Sequence, residues 1–432
     1  MNVLKFSDKD FAARLAQLAA ASSLFDPAVE ERARGIIAAV RERGDAALLE
    51  LTESFDGAQL TVEQLAVSQA EIFSASLAAD DSLRAAVTEA EKNIADFAKK
   101  SLRKNWSARN SHGASVGEKF DGFGRVGIYI PGGTAPLVST ALMTITLARV
   151  AGCREIAVCT PPGRDGSVNP ALLFAARTAG ATEIYKAGGA QAIAALSLGT
   201  ATIRPVQKVF GPGNAYVVAA KRLLVGHVAI DLLPGPSEVL VLADDSANPK
   251  FIAADLLAQA EHGSGHERVW LVTTSAKILK ATAKEIARQL PRLSRRAFIA
   301  KALANNGWLI QVKSLADGIA LVNRLAPEHC EVMVRPQQQA VKQITTAGAL
   351  FLGAWSPTVL GDYVAGPSHT LPTGGAGRSF AGLTVDQFQR RTSVVSYSKP
   401  ALKKALGAVR KFAELEGLDA HGKSAAVRLE RE

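Results

Sequence analysis

The run RVGIYIPGG at residues 125–133 reads as a short buried strand feeding a glycine turn, and the text beyond it, LVSTALMTITLARVAG (137–152), reads as a helix. The same pattern is then repeated. EIAVCTPP (155–162) is a strand. EIYKAGG (183–189) followed by AQAIAALSLG (190–199) is strand, glycines, helix. VQKVFGPGN (206–214) followed by AYVVAAKRLL (215–224) repeats it again, and VAIDLL (228–233) and EVLVLAD (238–244) close the series. Strands without polar alternation, separated by helices of this length, specify βαβ units around a buried parallel sheet. Residues 126–240 therefore read as one doubly wound α/β domain.

Outward from that centre the pattern continues in both directions. Downstream come a helix from Asn248 to His262, then RVWLVTT (268–274), helices, WLIQVKS (308–314), EVMVRP (331–336) and ALFLG (349–353), a second α/β set. Upstream, Pro27 opens a helix that Gly44 stops, and Asp80 begins a second long amphipathic one. The expected organisation is an N-terminal tail segment (1–24), a first α/β domain made of 25–125 with 241–381, a second of 126–240, and a helical C-terminal tail domain (382–432). The fold class is α/β: two doubly wound, Rossmann-like domains with small helical tail segments at both ends. None of the glycine turns is G-x-G-x-x-G, so the standard dinucleotide fingerprint is absent.

Composition narrows the function classes. The 432 residues are 48% hydrophobic and 21% charged, an ordinary globular balance. No run of about 18 apolar residues occurs, so no membrane span is expected, and no secretory h-region follows Met1. Three cysteines, Cys153, Cys159 and Cys330, are too few for a disulfide framework and carry no C-x-x-C pair. They read as buried small hydrophobes in a reducing cytoplasm. The net charge of +10 raises nucleic-acid binding, but the basic residues are scattered and aromatics make up only 6% of the chain. A basic surface serves an anionic small ligand as well.

Several residues have the types and spacing that carry chemistry. Ile130-Pro131-Gly132-Gly133, Gly188-Gly189 and Gly211-Pro212-Gly213-Asn214 each stand between a strand and a helix. They are either tight turns or the ligand edge of an open sheet, where helix N-termini offer free N–H groups. Gln259 and His262 share a helix face, with Gly263 as a stop; His262 is either a helix-dipole histidine or a ligand. Glu328-His329 sets an imidazole beside a carboxyl, either a general base poised near neutral pH or a plain loop histidine. Asp362 and His369 lie in a Gly/Pro-rich loop, and Glu416 and His421 flank a turn in the tail. An O/N site of Gln259, His262, Asp362 and His421 would suit zinc with open positions, although spacing alone does not show that the four converge. G-x-S-x-G and H-E-x-x-H are absent, which removes the common hydrolase signatures.

With these motifs in hand, the chain resembles the histidinol dehydrogenase family over nearly its whole length. The resemblance is carried in collinear order by VRERGDAALLELTESFDG (40–57), VGIYIPGGTAPLVSTALM (126–143), GGAQAIAALSLGT (188–200), VFGPGNAYV (209–217), IDLLPGPSEVLVLAD (230–244), DLLAQAEHG (255–263), APEHCEV (326–332), AGALFLGAWSP (347–357), GDYVAGPSHTLPT (361–373) and LDAHGKSAAVRL (418–429). It implies oxidation of L-histidinol through histidinaldehyde to L-histidine, in histidine biosynthesis, with two NAD reduced. It implies zinc, one per subunit, on Gln259, His262, Asp362 and His421. It implies a cytoplasmic homodimer in which His421 comes from the partner subunit. Glu328 and His329 correspond to the acid–base pair. Ser237, His369 and Glu416 correspond to substrate contacts, alongside Gln259, His262, His329, Asp362 and His421, and Tyr129, Gln191 and Asn214 to NAD contacts. Pro234, Ser368 and Phe380-Ala381 depart from the usual family residues. The competing readings are a relative acting on another polar alcohol, such as a sulfonated diol, and, from another class, a zinc hydrolase.

Overall fold

The computed structural model describes residues 1–19, 26–132 and 136–430. Two parallel sheets organise it. In the first, Glu183–Lys186, Glu155–Thr160, Arg125–Tyr129, Lys208–Phe210 and Ala229–Ile230 lie side by side in that order. In the second, Asn2–Lys5, Gly307–Gln311, Arg268–Thr273, Glu238–Ala243, His329–Met333 and Ala349–Leu352 do the same. Every pairing in both is parallel. Numbered along the chain, each sheet has the order 3-2-1-4-5, the doubly wound arrangement, with Asn2–Lys5 added at one edge of the larger. The central strands are buried almost end to end because helices cover both faces, which is why they read as runs with little polar alternation.

The structure corrects the sequence reading in four places. Glu238–Ala243 does not close the first series; it is a central strand of the other sheet, beside Arg268–Thr273 and His329–Met333. The proline-bearing link from Asp231 to Ser237 is thus a crossing between sheets, and an apolar run carries no mark of which sheet it joins. The helices of 27–101 do not bury their apolar faces with 241–381. Ile37, Val40 and Leu48 share a core with Tyr129 and Ile193, while Val87 and Ile94 share one with Ile128 and Ile145. The N-terminal segment is not a free tail: Leu4 is fully buried in an edge strand, and Phe11, Leu15 and Leu18 pack under the same sheet. Residues 20–24 of that segment lie outside the described residues. Last, the C-terminal region is not only helical. Leu383, Val385 and Phe388 are core residues, with Phe388 stacked on Phe210 at 3.7 Å between ring centroids. Gln389–Ser396 then joins Ser115–Gly122 and Trp106–Arg109 in an antiparallel three-stranded sheet.

The helix boundaries follow their caps. Asp26 and Asp80 accept backbone N–H groups at the starts of Pro27–Arg43 and Asp81–Ser101, and Gly44 ends the former. Asn248 caps Pro249–Ala260, which stops before His262. Among the described residues, no helix is long and apolar enough to cross a membrane.

Candidate active site

The chemistry-bearing residues gather where the chain enters Glu238–Ala243 and His329–Met333, two neighbouring strands in register at His329 and Val239. Glu328 and His329 are buried there. The Nδ1 atom of His329 stands 3.0 Å from the carbonyl oxygen of Glu238. A carbonyl only accepts, so Nδ1 carries the proton and Nε2 keeps its lone pair. That Nε2 faces the Asp362 carboxylate at 3.7 Å. Burial pushes the His329 imidazole down to about 4, so it is neutral at physiological pH. The Glu328 carboxylate accepts the Glu238 N–H at 2.7 Å and lies 3.5 Å from His329 Nδ1. Burial drives Glu328 well above the carboxyl range, and the Glu238 and Asp362 charges add to that.

Two more histidines repeat the device. His262 Nδ1 sits 3.0 Å from the carbonyl oxygen of Gln259, one turn back across the helix end. His369 Nδ1 sits 3.0 Å from the carbonyl of Asp362. Each therefore offers Nε2 as an acceptor. His369 Nε2 meets the Thr140 hydroxyl at 3.1 Å, tying the loop to helix Val138–Val150 over the five-stranded sheet. Burial raises the Asp362 carboxyl, while the fields of His369 and His262 pull it down. Asp362 is carried by the short helix Thr358–Tyr363, whose first N–H is held by the Glu331 carboxylate at 3.1 Å. A cavity of about 330 Å³ opens onto His329, Phe351, Leu360, Gly361, Ser368 and His369, a size suited to a small ligand. Ser237 is half-buried immediately before Glu238, and its carbonyl accepts the Arg268 N–H.

Of the expected metal ligands, Asp362 faces His329 Nε2 and its carbonyl holds His369, while Gln259 and His262 stand together at the end of helix Pro249–Ala260, which contacts the helix of Asp362. The carboxamide nitrogen of Gln259 is buried without a hydrogen-bond partner, the sort of orphan that marks an incomplete polar site. A half-buried carboxylate, a buried carboxamide and an exposed imidazole are donor types that fit a borderline divalent cation. Among the described residues no three His, Cys, Asp or Glu side chains form a ready metal cluster. Glu416 and His421 are not in the cluster. Both are exposed, Glu416 at the end of helix Lys399–Leu415 and His421 on Asp419–Ala426, two helices that pack against each other.

The residues expected to contact a dinucleotide lie on the other sheet, at the C-terminal ends of Arg125–Tyr129, Glu183–Lys186 and Lys208–Phe210. The strand order reverses between the first and last of these, which is where open α/β sheets bind ligands. Tyr129 is buried, and its hydroxyl accepts the Gly189 N–H at 3.0 Å. Burial pushes that phenol up to about 12. Gln191 is buried with Oε1 unpartnered, an acceptor in want of a donor. Asn214 is exposed and caps Ala215–Leu223 by accepting Tyr216 N–H at 3.0 Å and Val217 N–H at 3.2 Å. Gly211 has φ +116°, and a Cβ there would stand 2.0 Å from the Tyr129 carbonyl oxygen. Gly133 lies outside the described residues. Sequence reasoning missed Glu238, Glu331 and Thr140. A lone acidic residue at the head of the apolar run EVLVLA was the available signal for Glu238; nothing marked the other two.

Comparison with known proteins agrees over the whole length. A family profile described as histidinol dehydrogenase matches residues 20–429. The histidinol dehydrogenase of Geobacillus kaustophilus is 47% identical over 396 residues, covering 92% of this chain and 93% of that protein. That of Bacteroides thetaiotaomicron is 43% identical over 432 residues, covering 99% of both. The crystal structure of histidinol dehydrogenase from Elizabethkingia anophelis superimposes with a TM-score of 0.94 at 37% identity, covering 99% of this chain and 98% of that one.

Proposed function

Because the chain belongs to the histidinol dehydrogenase family, we propose that it oxidises L-histidinol through L-histidinaldehyde to L-histidine in histidine biosynthesis, with two NAD reduced per substrate. The observation that carries the reading is His329: buried, neutral, lining the cavity, with Nδ1 engaged by the Glu238 carbonyl and Nε2 left as a base. A base in that state takes the hydroxyl proton as the carbinol hydrogen leaves as hydride. Loss of that proton and hydride turns the alcohol into the aldehyde. Glu328, against His329 Nδ1, serves the second stage, in which water adds to the aldehyde and the hydrate loses another hydride and proton. The closed setting of Glu328 and His329 also shields a reactive aldehyde from side reactions.

One zinc per subunit would be held by Gln259, His262, Asp362 and His421 of the partner subunit, and when bound it supplies a Lewis acid that grips the imidazole and amine nitrogens of the substrate. His369 and Ser237 flank this position, and Glu416 of the partner subunit completes the grip on the imidazole. Tyr129, Gln191 and Asn214 would hold the dinucleotide at the edge of the five-stranded sheet, where it would supply the hydride acceptor. The subunits act as a cytoplasmic homodimer. The three free, buried thiols suit a reducing compartment.

The test is a stoichiometry. Purified protein with L-histidinol and NAD should form two NADH for each histidine released. No NADH, or one NADH with free aldehyde accumulating, contradicts the proposal.

A further inference from the structure

The loop that carries Asn214 is held from behind by a fully buried ion pair. Lys221 lies on helix Ala215–Leu223, and Asp231 follows the short strand Ala229–Ile230. Both side chains are 0% exposed, and they pair directly. Of their three remaining hydrogen bonds, two go to one residue, Gly211. The ammonium of Lys221 donates to the Gly211 carbonyl at 3.0 Å and to the Leu232 carbonyl at 2.9 Å. The second Asp231 oxygen accepts the Gly211 N–H at 2.8 Å. All three ammonium hydrogens and both carboxylate oxygens are thereby used.

Burying an ion pair is weak evidence for stability, since an apolar pair of similar volume does as well. What this pair does is fix both backbone polar groups of one glycine. That glycine has φ +116° and presses so closely on Tyr129 that no side chain fits between them. Asn214 begins the next helix three residues further on, with its first N–H groups at the sheet edge.

We propose that Lys221 and Asp231 are positioning residues for the dinucleotide: by clamping Gly211 through its N–H and its C=O they preset the Gly211–Asn214 loop and the helix start that receive NAD. The inference rests on the reading of this sheet edge as the NAD site. Preorganisation of this kind removes an ordering cost that a loose loop would charge to binding.

The experiment compares full-length wild-type protein with Lys221→Met and Asp231→Asn. NADH affinity is read by fluorescence titration, and the KM values for NAD and for L-histidinol by steady-state kinetics. The expected result is a rise of at least roughly tenfold in the NADH Kd and the NAD KM, with the L-histidinol KM and metal content within roughly twofold of wild type. A folded variant that binds NADH like wild type overturns the inference. So does a parallel loss of affinity for both ligands, which is the mark of general loosening. Hydrogen exchange on wild type decides the matter if neither variant folds. The Gly211 amide should be protected before NAD is added, and free exchange until NAD arrives would overturn the clamp. Wild-type protein that fails to bind NADH strikes instead at the dinucleotide reading itself.

Discussion

Replacing His329 with glutamine tests the base and its burial together. The new carboxamide would keep a donor within reach of the Glu238 carbonyl, so the strand entry stays hydrogen-bonded, but no group remains to take a proton. Loss of a positioned general base lowers turnover by roughly 10²–10⁴, or about 3–5 kcal/mol of barrier. The second consequence concerns acid. The folded value of His329, about 4, lies below the free value of 6.5, so the unfolded chain binds the proton first as pH falls. The group therefore takes nothing from stability above about pH 6.5, and its burial becomes destabilising as pH falls from there towards 4. At pH 4.5 the penalty comes to about 2–3 kcal/mol. Glutamine does not titrate and escapes it. Urea denaturation of metal-free wild type and His329→Gln at pH 7 and pH 4.5, followed by circular dichroism, gives the difference, because titrations remote from the site cancel. The variant should lose less stability on acidification by that amount. An identical pH dependence would refute the buried neutral imidazole, and turnover within about tenfold of wild type would refute the base.

Other parts of the account are open to simpler perturbations. Phe388→Ala removes a fully buried ring stacked at 3.7 Å on Phe210. It should cost about 3–5 kcal/mol in a thermal or chemical melt while leaving turnover intact at low temperature; a loss under about 1 kcal/mol would contradict the core assignment. Gly361→Ala would put a Cβ 2.6 Å from the Phe351 ring, which lies 5.8 Å from the His329 ring. It should raise the L-histidinol KM several-fold with the NAD KM unchanged, and equal effects on both would speak against the division of labour. Dialysis against a chelator should abolish turnover and zinc should restore it, whereas NADH affinity should persist because that edge belongs to another sheet; full activity in chelator would exclude the metal.

The parts of the fold that were legible are those whose physics is local. RVGIY, EIAVCT and RVWLVT are buried on both faces, and a continuous apolar run this short, bounded by turn residues, suits a central parallel strand. Caps at Asp26, Asp80 and Asn248 gave helix starts for the same reason. The antiparallel sheet was invisible because Trp106–Arg109 is exposed along its whole length and Gln389–Ser396 nearly so, leaving no alternation to read. Asn2–Lys5 offers only Leu4 to the core, too short a signal to separate a strand from a tail. The assignment of Glu238–Ala243 failed because sheet membership is set by long-range pairing. The site shows the same division. Glu328-His329 and Gln259…His262 were candidates by residue type and spacing that a plain structural histidine fitted as well, and the approach of Asp362 to His329 and His369 depends on a loop with no periodicity. Glu331, which holds the helix bearing Asp362, looked like any strand residue.

The central claim is that one site is completed by two chains, with His262 and Asp362 from one and the tail of the other. Mixed dimers of His262→Ala with His421→Ala test it most directly. Each variant alone should be inactive. Random mixing makes about half the dimers mixed, and each of these holds one intact site, so about a quarter of the wild-type sites should return. Verified mixing with no return of L-histidinol oxidation would show that His421 does not cross between subunits, and the account of the site would fail with it.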